Sequence, residues 1–209
     1  MNKGKFIVFE GTDGSGKTTQ IKKLAERLIC DNEKVYITAE PTVSLSGGIL
    51  RDALAGITAK DASELAILFA WDRINHNVNT HDGISKLVDE GYTVLCDRYY
   101  YSSLAYQGSE AGYEWVKNLN IGCKDIRKPD MCFFLDVSPK VSMQRIDSNR
   151  ASKDIYETEE KLTAIRDSFH KVIKDLDDVV VVINAEKDME SVSEMIYTEY
   201  KNFFGKYNY

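Results

Sequence analysis

Phe6-Ile7-Val8-Phe9-Glu10-Gly11-Thr12-Asp13-Gly14-Ser15-Gly16-Lys17-Thr18 is the stretch on which the fold turns. An apolar strand, Lys5 to Glu10, runs into G-x-x-x-x-G-K-[ST]. Thr18 to Cys30 then carries Ile21, Leu24, Ala25, Leu28 and Ile29 at helical spacing. Strand, glycine-rich turn and helix in that order form a phosphate cradle. The glycines let backbone N–H groups turn inward on phosphate oxygens, and the helix N-terminus adds its partial positive charge. Lys17 supplies a point charge for β- and γ-phosphates, and Thr18 a hydroxyl for Mg²⁺. The expected nucleoside triphosphate site is Gly11, Thr12, Asp13, Gly14, Ser15, Gly16, Lys17, Thr18 and Thr19.

Beyond the loop, strand and helix signals alternate. Strands are predicted at Lys34–Thr38, Thr93–Asp97, Met131–Val137 and Val179–Ile183. Helices are predicted at Gly48–Leu54, Ala62–His76, Gly83–Glu90 with Gly91 as its stop, around Ser102–Gln107, and at Met189–Phe204. Another starts at Ser138-Pro139, with Ser as N-cap and Pro in the first position. Near-continuous apolar strands alternating with helices predict an α/β fold. Its parallel sheet, of the P-loop NTPase type, is covered by helices on both faces. Ligands in such sheets bind at the carboxyl ends of the strands, where the motifs fall. The chain's 209 residues suit a single domain spanning 1–209.

Composition narrows the class. The chain is 43% hydrophobic and 29% charged, which favours neither disorder nor a membrane protein. Its longest apolar runs, such as Met131 to Leu135, are too short to span a bilayer. The N-terminus lacks the apolar stretch of a signal peptide. Net charge is −6 without a basic cluster, which argues against a nucleic-acid partner. Cys30, Cys96, Cys123 and Cys132 form no C-x-x-C pair, and Cys96 and Cys132 lie in strand-like runs as buried thiols. A cytoplasmic location is the expectation.

The cradle alone does not separate a kinase from a GTPase or a motor. An N-K-x-D guanine reader is missing, and a short chain suits a small acceptor. Four further segments resemble thymidylate kinase, in order and at similar spacing. They are Glu40-Pro41 with Arg51 ten residues after the proline; Phe69-Ala70-Trp71-Asp72-Arg73; Asp97-Arg98-Tyr99 continued by Ser102-Ser103-Leu104-Ala105-Tyr106-Gln107-Gly108; and Lys128-Pro129-Asp130 before Leu135-Asp136-Val137. A late Asn184-Ala185 extends the resemblance over nearly the whole chain. It implies a Mg²⁺-requiring enzyme that phosphorylates dTMP to dTDP with ATP, in the pathway to dTTP, and a homodimer with helices packed across a two-fold.

The resemblance also implies roles. The acceptor set is Asp13, Pro41, Arg51, Phe69, Arg73, Arg98, Ser103, Tyr106 and Gln107. Phe69 and Arg73 are four apart and share a helix face, so a ring can stack on the pyrimidine while a guanidinium reaches a carbonyl oxygen. Core packing for Phe69 and a solvated face for Arg73 are the plainer alternatives. Arg98 would contact the acceptor phosphate, offsetting repulsion between two polyanions. Ser103 and Tyr106 would lie near sugar and base, with the tyrosine excluding a 2′-hydroxyl, and Asp13 would meet the 3′-hydroxyl. Asp97, closing its strand, would join Thr18 at the metal.

Arg145 to Glu160 is polar, the composition of a mobile lid over the donor. One class of the family has a basic residue in the P-loop after the acidic one. Here that position is Gly14, so the resemblance is to the class whose lid supplies the cation. Arg150 first, then Arg145 and Lys153, join Lys17 and Arg98 as catalytic candidates, against the bland alternative of a solvated charge run. Some members also carry an Arg two residues after the proline, where this chain has Val43. The competing readings are a deoxynucleoside kinase, which typically shows D-R-S or E-R-S, another monophosphate kinase, and a non-catalytic nucleotide-binding module.

Overall fold

A computed structural model describes residues 4–149 and 158–205. Its strands are β1 Lys5–Glu10, β2 Val35–Ala39, β3 Thr93–Asp97, β4 Met131–Asp136 and β5 Val180–Asn184. They form one five-stranded parallel sheet in the order β2-β3-β1-β4-β5. The helices are α1 Lys17–Cys30, α2 Leu45–Leu54, α3 Ala62–Val78, α4 Ile84–Asp89, α5 Tyr100–Tyr106, α6 Gly108–Ala111, α7 Tyr113–Ile121, α8 Pro139–Asn149, α9 Glu159–Asp175 and α10 Met189–Phe204.

The continuous apolar strands are continuous because both faces are covered. Side chains alternate along a strand. Phe6, Val8, Val94, Cys96, Cys132 and Phe134 therefore build one core with α5 and α9. Ile7, Phe9, Leu95, Met131, Phe133 and Leu135 build the other with α1 and α10. Cys96 and Cys132 are buried free thiols, as their sequence context implies.

Three departures from expectation bear on the site. α2 starts at Leu45, not Gly48, with Ser44 in extended backbone at the N-cap position. α7 has no counterpart in the sequence reading, and it brings the fully buried Asn120 against the acceptor side. The polar stretch assigned to a lid begins inside helix α8 and ends in the first turn of α9, which Thr158 caps with its side chain accepting from the Lys161 amide. Arg150 and Lys153 lie outside the described residues.

Candidate active site

The site is built where β1, β3 and β4 end side by side. Gly11 and Gly14 adopt φ of 146° and 76°, which L side chains rarely reach. Space is as restrictive as backbone. A Cβ on Gly11 would stand 2.7 Å from the Leu135 carbonyl oxygen, and one on Gly14 would stand 2.6 Å from that of Ser142 in α8. The loop is thus clamped between β4 and α8. Lys17 folds over it, with Nζ donating to the carbonyls of Gly11 at 3.0 Å and Thr12 at 3.1 Å. Burial pushes the Lys17 pKa down, and Arg98 adds to that; Asp97, Asp13 and Glu10 pull the other way. The Ser15 hydroxyl is buried in the loop and has no partner among the described residues. Thr19 is exposed on the first turn of α1.

Thr18 and Asp97 lie far apart in sequence, yet Thr18 Oγ1 donates to Asp97 Oδ2 at 2.8 Å. Arg98 follows with φ 68°, the left-handed region in a residue that is not glycine. This backbone turns its guanidinium over the cradle. Nη2 meets Asp13 Oδ1 at 2.6 Å, Nη1 donates to Ser102 Oγ at 3.0 Å, and the Tyr106 ring lies 5.6 Å away. Burial, partly offset by Arg98, pushes the Tyr106 phenol up to about 12, so it is neutral across the physiological range.

A buried carboxylate fixes this arrangement from beneath. Glu10 accepts from the amides of Tyr99 at 2.8 Å and Ser102 at 3.1 Å and from the Ser102 hydroxyl at 2.7 Å. It thereby satisfies donors at the start of α5, which no side chain of α5 itself caps. Burial raises the Glu10 pKa, against the pull of Arg98.

A cavity of 330 Å³ opens beside Asp13 and Arg98 and is lined by Glu40, Pro41, Arg51, Phe69, Arg73, Tyr99, Tyr106 and Gln107 among others. Phe69 and Arg73 share it, as their helical spacing predicts. Arg73 is not on a solvated face: it is 1% exposed, ion-paired with Glu40 and 5.1 Å from the Tyr99 ring. Ser103 lies behind Arg73, accepting from Nη1 at 3.2 Å, and is not among the cavity's lining residues. Exposed Arg51 donates to the Thr42 carbonyl. That loop is tied down by buried Asp72, which accepts from the Thr42 amide at 2.8 Å and the Ser46 hydroxyl at 2.6 Å. Arg145 spans from α8 to the carbonyls of Ala185 at 2.9 Å and Gly14 at 3.4 Å.

Sequence reasoning passed over Glu10, Asp72 and Asn120. Glu10 offered one signal, a carboxylate ending an otherwise apolar strand. Asn120 offered none.

The sheet, the cradle at the end of its first strand and the adjoining cavity define a P-loop phosphotransferase. The family model for thymidylate kinase matches residues 9–196. The chain is 38% identical over 199 residues to a probable thymidylate kinase of Methanocaldococcus jannaschii, covering 94% of this chain and 96% of that protein. It is 35% identical over 206 residues to a thymidylate kinase of Bradyrhizobium sp., covering 93% and 88%. To a thymidylate kinase of Lactobacillus acidophilus it is 33% identical over 207 residues, covering 95% and 94%. The chain belongs to the thymidylate kinase family.

Proposed function

We propose that this protein transfers the γ-phosphoryl group of ATP to the phosphate of dTMP, giving ADP and dTDP. The observation that carries this reading is the Asp13–Arg98 pair at 2.6 Å, where the acceptor cavity opens onto the P-loop. A guanidinium there stands between two polyanions and offsets the repulsion that keeps them apart. Lys17 takes donor phosphates, exchanging backbone carbonyls for phosphate oxygens. Phe69 stacks on the pyrimidine and Arg73 donates to its carbonyl edge. Pro41, Tyr106 and Gln107 complete the pocket wall, and Arg51 faces the acceptor phosphate.

The donor chemistry fits Mg²⁺. Thr18 and Asp97 present a hydroxyl and a carboxylate already 2.8 Å apart, and Mg²⁺ characteristically takes one or two such protein oxygens together with phosphates and water. When bound there it would neutralise phosphate charge. Of the lid cations, Arg145 lies against the cradle, and Arg150 and Lys153 belong to the same proposed role.

ADP release with ATP and a panel of dTMP, dUMP, dCMP, dGMP and thymidine tests the assignment. Turnover is expected to be highest with dTMP. A preference for thymidine, or release independent of any acceptor, would replace it with a nucleoside kinase or an ATPase.

A homodimer through α3 is part of the same reading. Ile67, Trp71 and Val78 are exposed along that helix, opposite the buried Arg73, His76 and Asn77. Sedimentation should report a dimer, and Trp71→Glu should weaken it; a monomer at micromolar concentration would rule this out. Among the described residues no helix is long and apolar enough to cross a membrane.

A further inference from the structure

Arg73 is held on three sides. Nε and Nη2 lie 2.8 and 2.7 Å from Glu40 Oε2, while Nη1 lies 3.2 Å from Ser103 Oγ and also donates to Asn120 Oδ1. Glu40 is itself buried, and its second oxygen is also engaged: Oε1 lies 3.0 Å from His76 Nδ1. On the far side of the ring, His76 Nε2 lies 2.7 Å from Thr38 Oγ1 of β2. We propose that His76 is a positioning residue for recognition of the acceptor base. Braced by Thr38, it fixes the Glu40 carboxylate and through it the Arg73 guanidinium.

Hydrogen-bond chemistry gives this relay a direction. A carboxylate paired with arginine only accepts, so Nδ1 must carry the proton that reaches Oε1. In the neutral ring Nε2 is then an acceptor, and the Thr38 hydroxyl donates to it. One tautomer satisfies the whole relay: Thr38 O–H to Nε2, Nδ1–H to Oε1, and Oε2 receiving Arg73.

His76 and Thr38 also stand outside the acceptor cavity's lining. His76 lines a neighbouring cavity of 380 Å³ with Tyr36, Thr38, Asn75 and Asp82. That cavity shares Pro41 with the acceptor cavity and extends to Thr18 and Asp97. A change at His76 therefore reaches Arg73 through Glu40 and not by touching the base. Glu40 sits after β2, and Arg73 and His76 are three apart on α3, so both donors come from one helix face. With Oε1 unsatisfied, the Glu40–Arg73 pair loses its brace on the β2 side and is held by Ser103 and Asn120 alone, which loosens the guanidinium's aim. Small errors of this kind in a substrate-positioning group lower catalysis disproportionately.

The inference rests on the proposed dTMP kinase activity, and its test separates the two. Wild type, His76→Leu, His76→Asn and Thr38→Val are compared for KM and kcat with dTMP and dCMP, for KM with ATP, and for melting temperature. The ring nitrogens of wild-type His76 are assigned by long-range ¹⁵N–¹H NMR. Losing a hydrogen bond to a charged group corresponds to roughly tenfold or more. His76→Leu should therefore raise KM for dTMP about tenfold and shrink the dTMP-over-dCMP preference, with KM for ATP within about twofold. His76→Asn, whose amide can stand in for Nδ1–H, should recover most of the loss. Thr38→Val should show a smaller effect of the same kind, and the spectrum should show the Nδ1–H tautomer. Wild-type KM and preference in a folded His76→Leu protein, or losses spread equally over ATP and dTMP, would overturn the inference. So would an Nε2–H tautomer. If His76→Leu does not fold, Thr38→Val and the wild-type spectrum decide. Wild-type protein inactive on dTMP defeats the proposed function itself, whereas active wild type with an indifferent His76 defeats only this step.

Discussion

Arg98 reaches Asp13 at 2.6 Å from a backbone held at φ 68°. A left-handed, non-glycine residue costs on the order of 1–2 kcal/mol, so this placement of the guanidinium is made at some expense to stability. Arg98→Gly and Arg98→Ala should both lower kcat/KM for dTMP by orders of magnitude. In urea unfolding the glycine variant should be the more stable by about 1 kcal/mol, because only it relieves the backbone. Equal stabilities would mean that the left-handed turn carries no strain, and near-normal kinetics would remove Arg98 from the reaction.

Lys17 is buried for its charge, not for packing, since its ammonium contacts carbonyl oxygens. Lys17→Ala should cut turnover by at least two orders of magnitude and leave the folded circular dichroism spectrum unchanged. A folded variant with normal turnover would contradict the P-loop role.

The same lysine predicts a pH profile. Burial, with Arg98 second, lowers its pKa in the free protein. Raising the pH through that lowered value removes the charge ATP needs, so kcat/KM for ATP should fall on an alkaline limb below the ordinary lysine range. Bound phosphates favour the ammonium, so the limb in kcat should lie at higher pH. Profiles measured on wild type and Lys17→Arg check this. The limb attributed to Lys17 should disappear in the arginine variant, and its persistence there would assign it to another group.

The lid prediction concerns transition-state charge. A supplied arginine is worth roughly a thousandfold or more in related phosphoryl transfers. At least one of Arg145→Ala, Arg150→Ala and Lys153→Ala should lower kcat strongly with little change in acceptor KM, the pattern of an interaction made chiefly in the transition state. Arg145 also ties α8 to Ala185, so its variant should lose some thermal stability as well. Wild-type kcat in all three and in the triple variant would exclude the lid as the source of the cation.

Legibility followed the range of the interactions. The β1-loop-α1 unit is local, and its strand period, glycines and helical period can be read in one pass. Thr18 and Asp97 were expected at one metal because Asp97 closes its strand and Thr18 follows the loop after β1, both at the carboxyl end of the sheet. Arg73 was harder. Its burial depends on Glu40, 33 residues earlier, and on Asn120, 47 residues later, and nothing in a linear pattern joins these three. The helix holding Asn120 was missed for a related reason. Tyr113, Val116 and Leu119 face the core, but Asn120 is buried among them while Trp115 and Ile121 are exposed, which blurs the apolar stripe of a short helix. Ser103, with Tyr106, was expected near the sugar and the base from its place in a motif. Its side chain supports Arg73 from behind, an orientation the motif alone does not encode.

The close approach of Gly14 to α8 limits how the enzyme could be re-engineered. A natural-looking experiment would transplant an arginine into the loop, as Gly14→Arg, to compensate for a disabled lid. The new Cβ would meet the Ser142 carbonyl oxygen at 2.6 Å, from a backbone at φ 76°. Accommodating it means pushing α8 away. A cation at this loop position therefore requires a shift of α8. A lineage acquiring a basic residue there would have to move α8 before the loop residue could change.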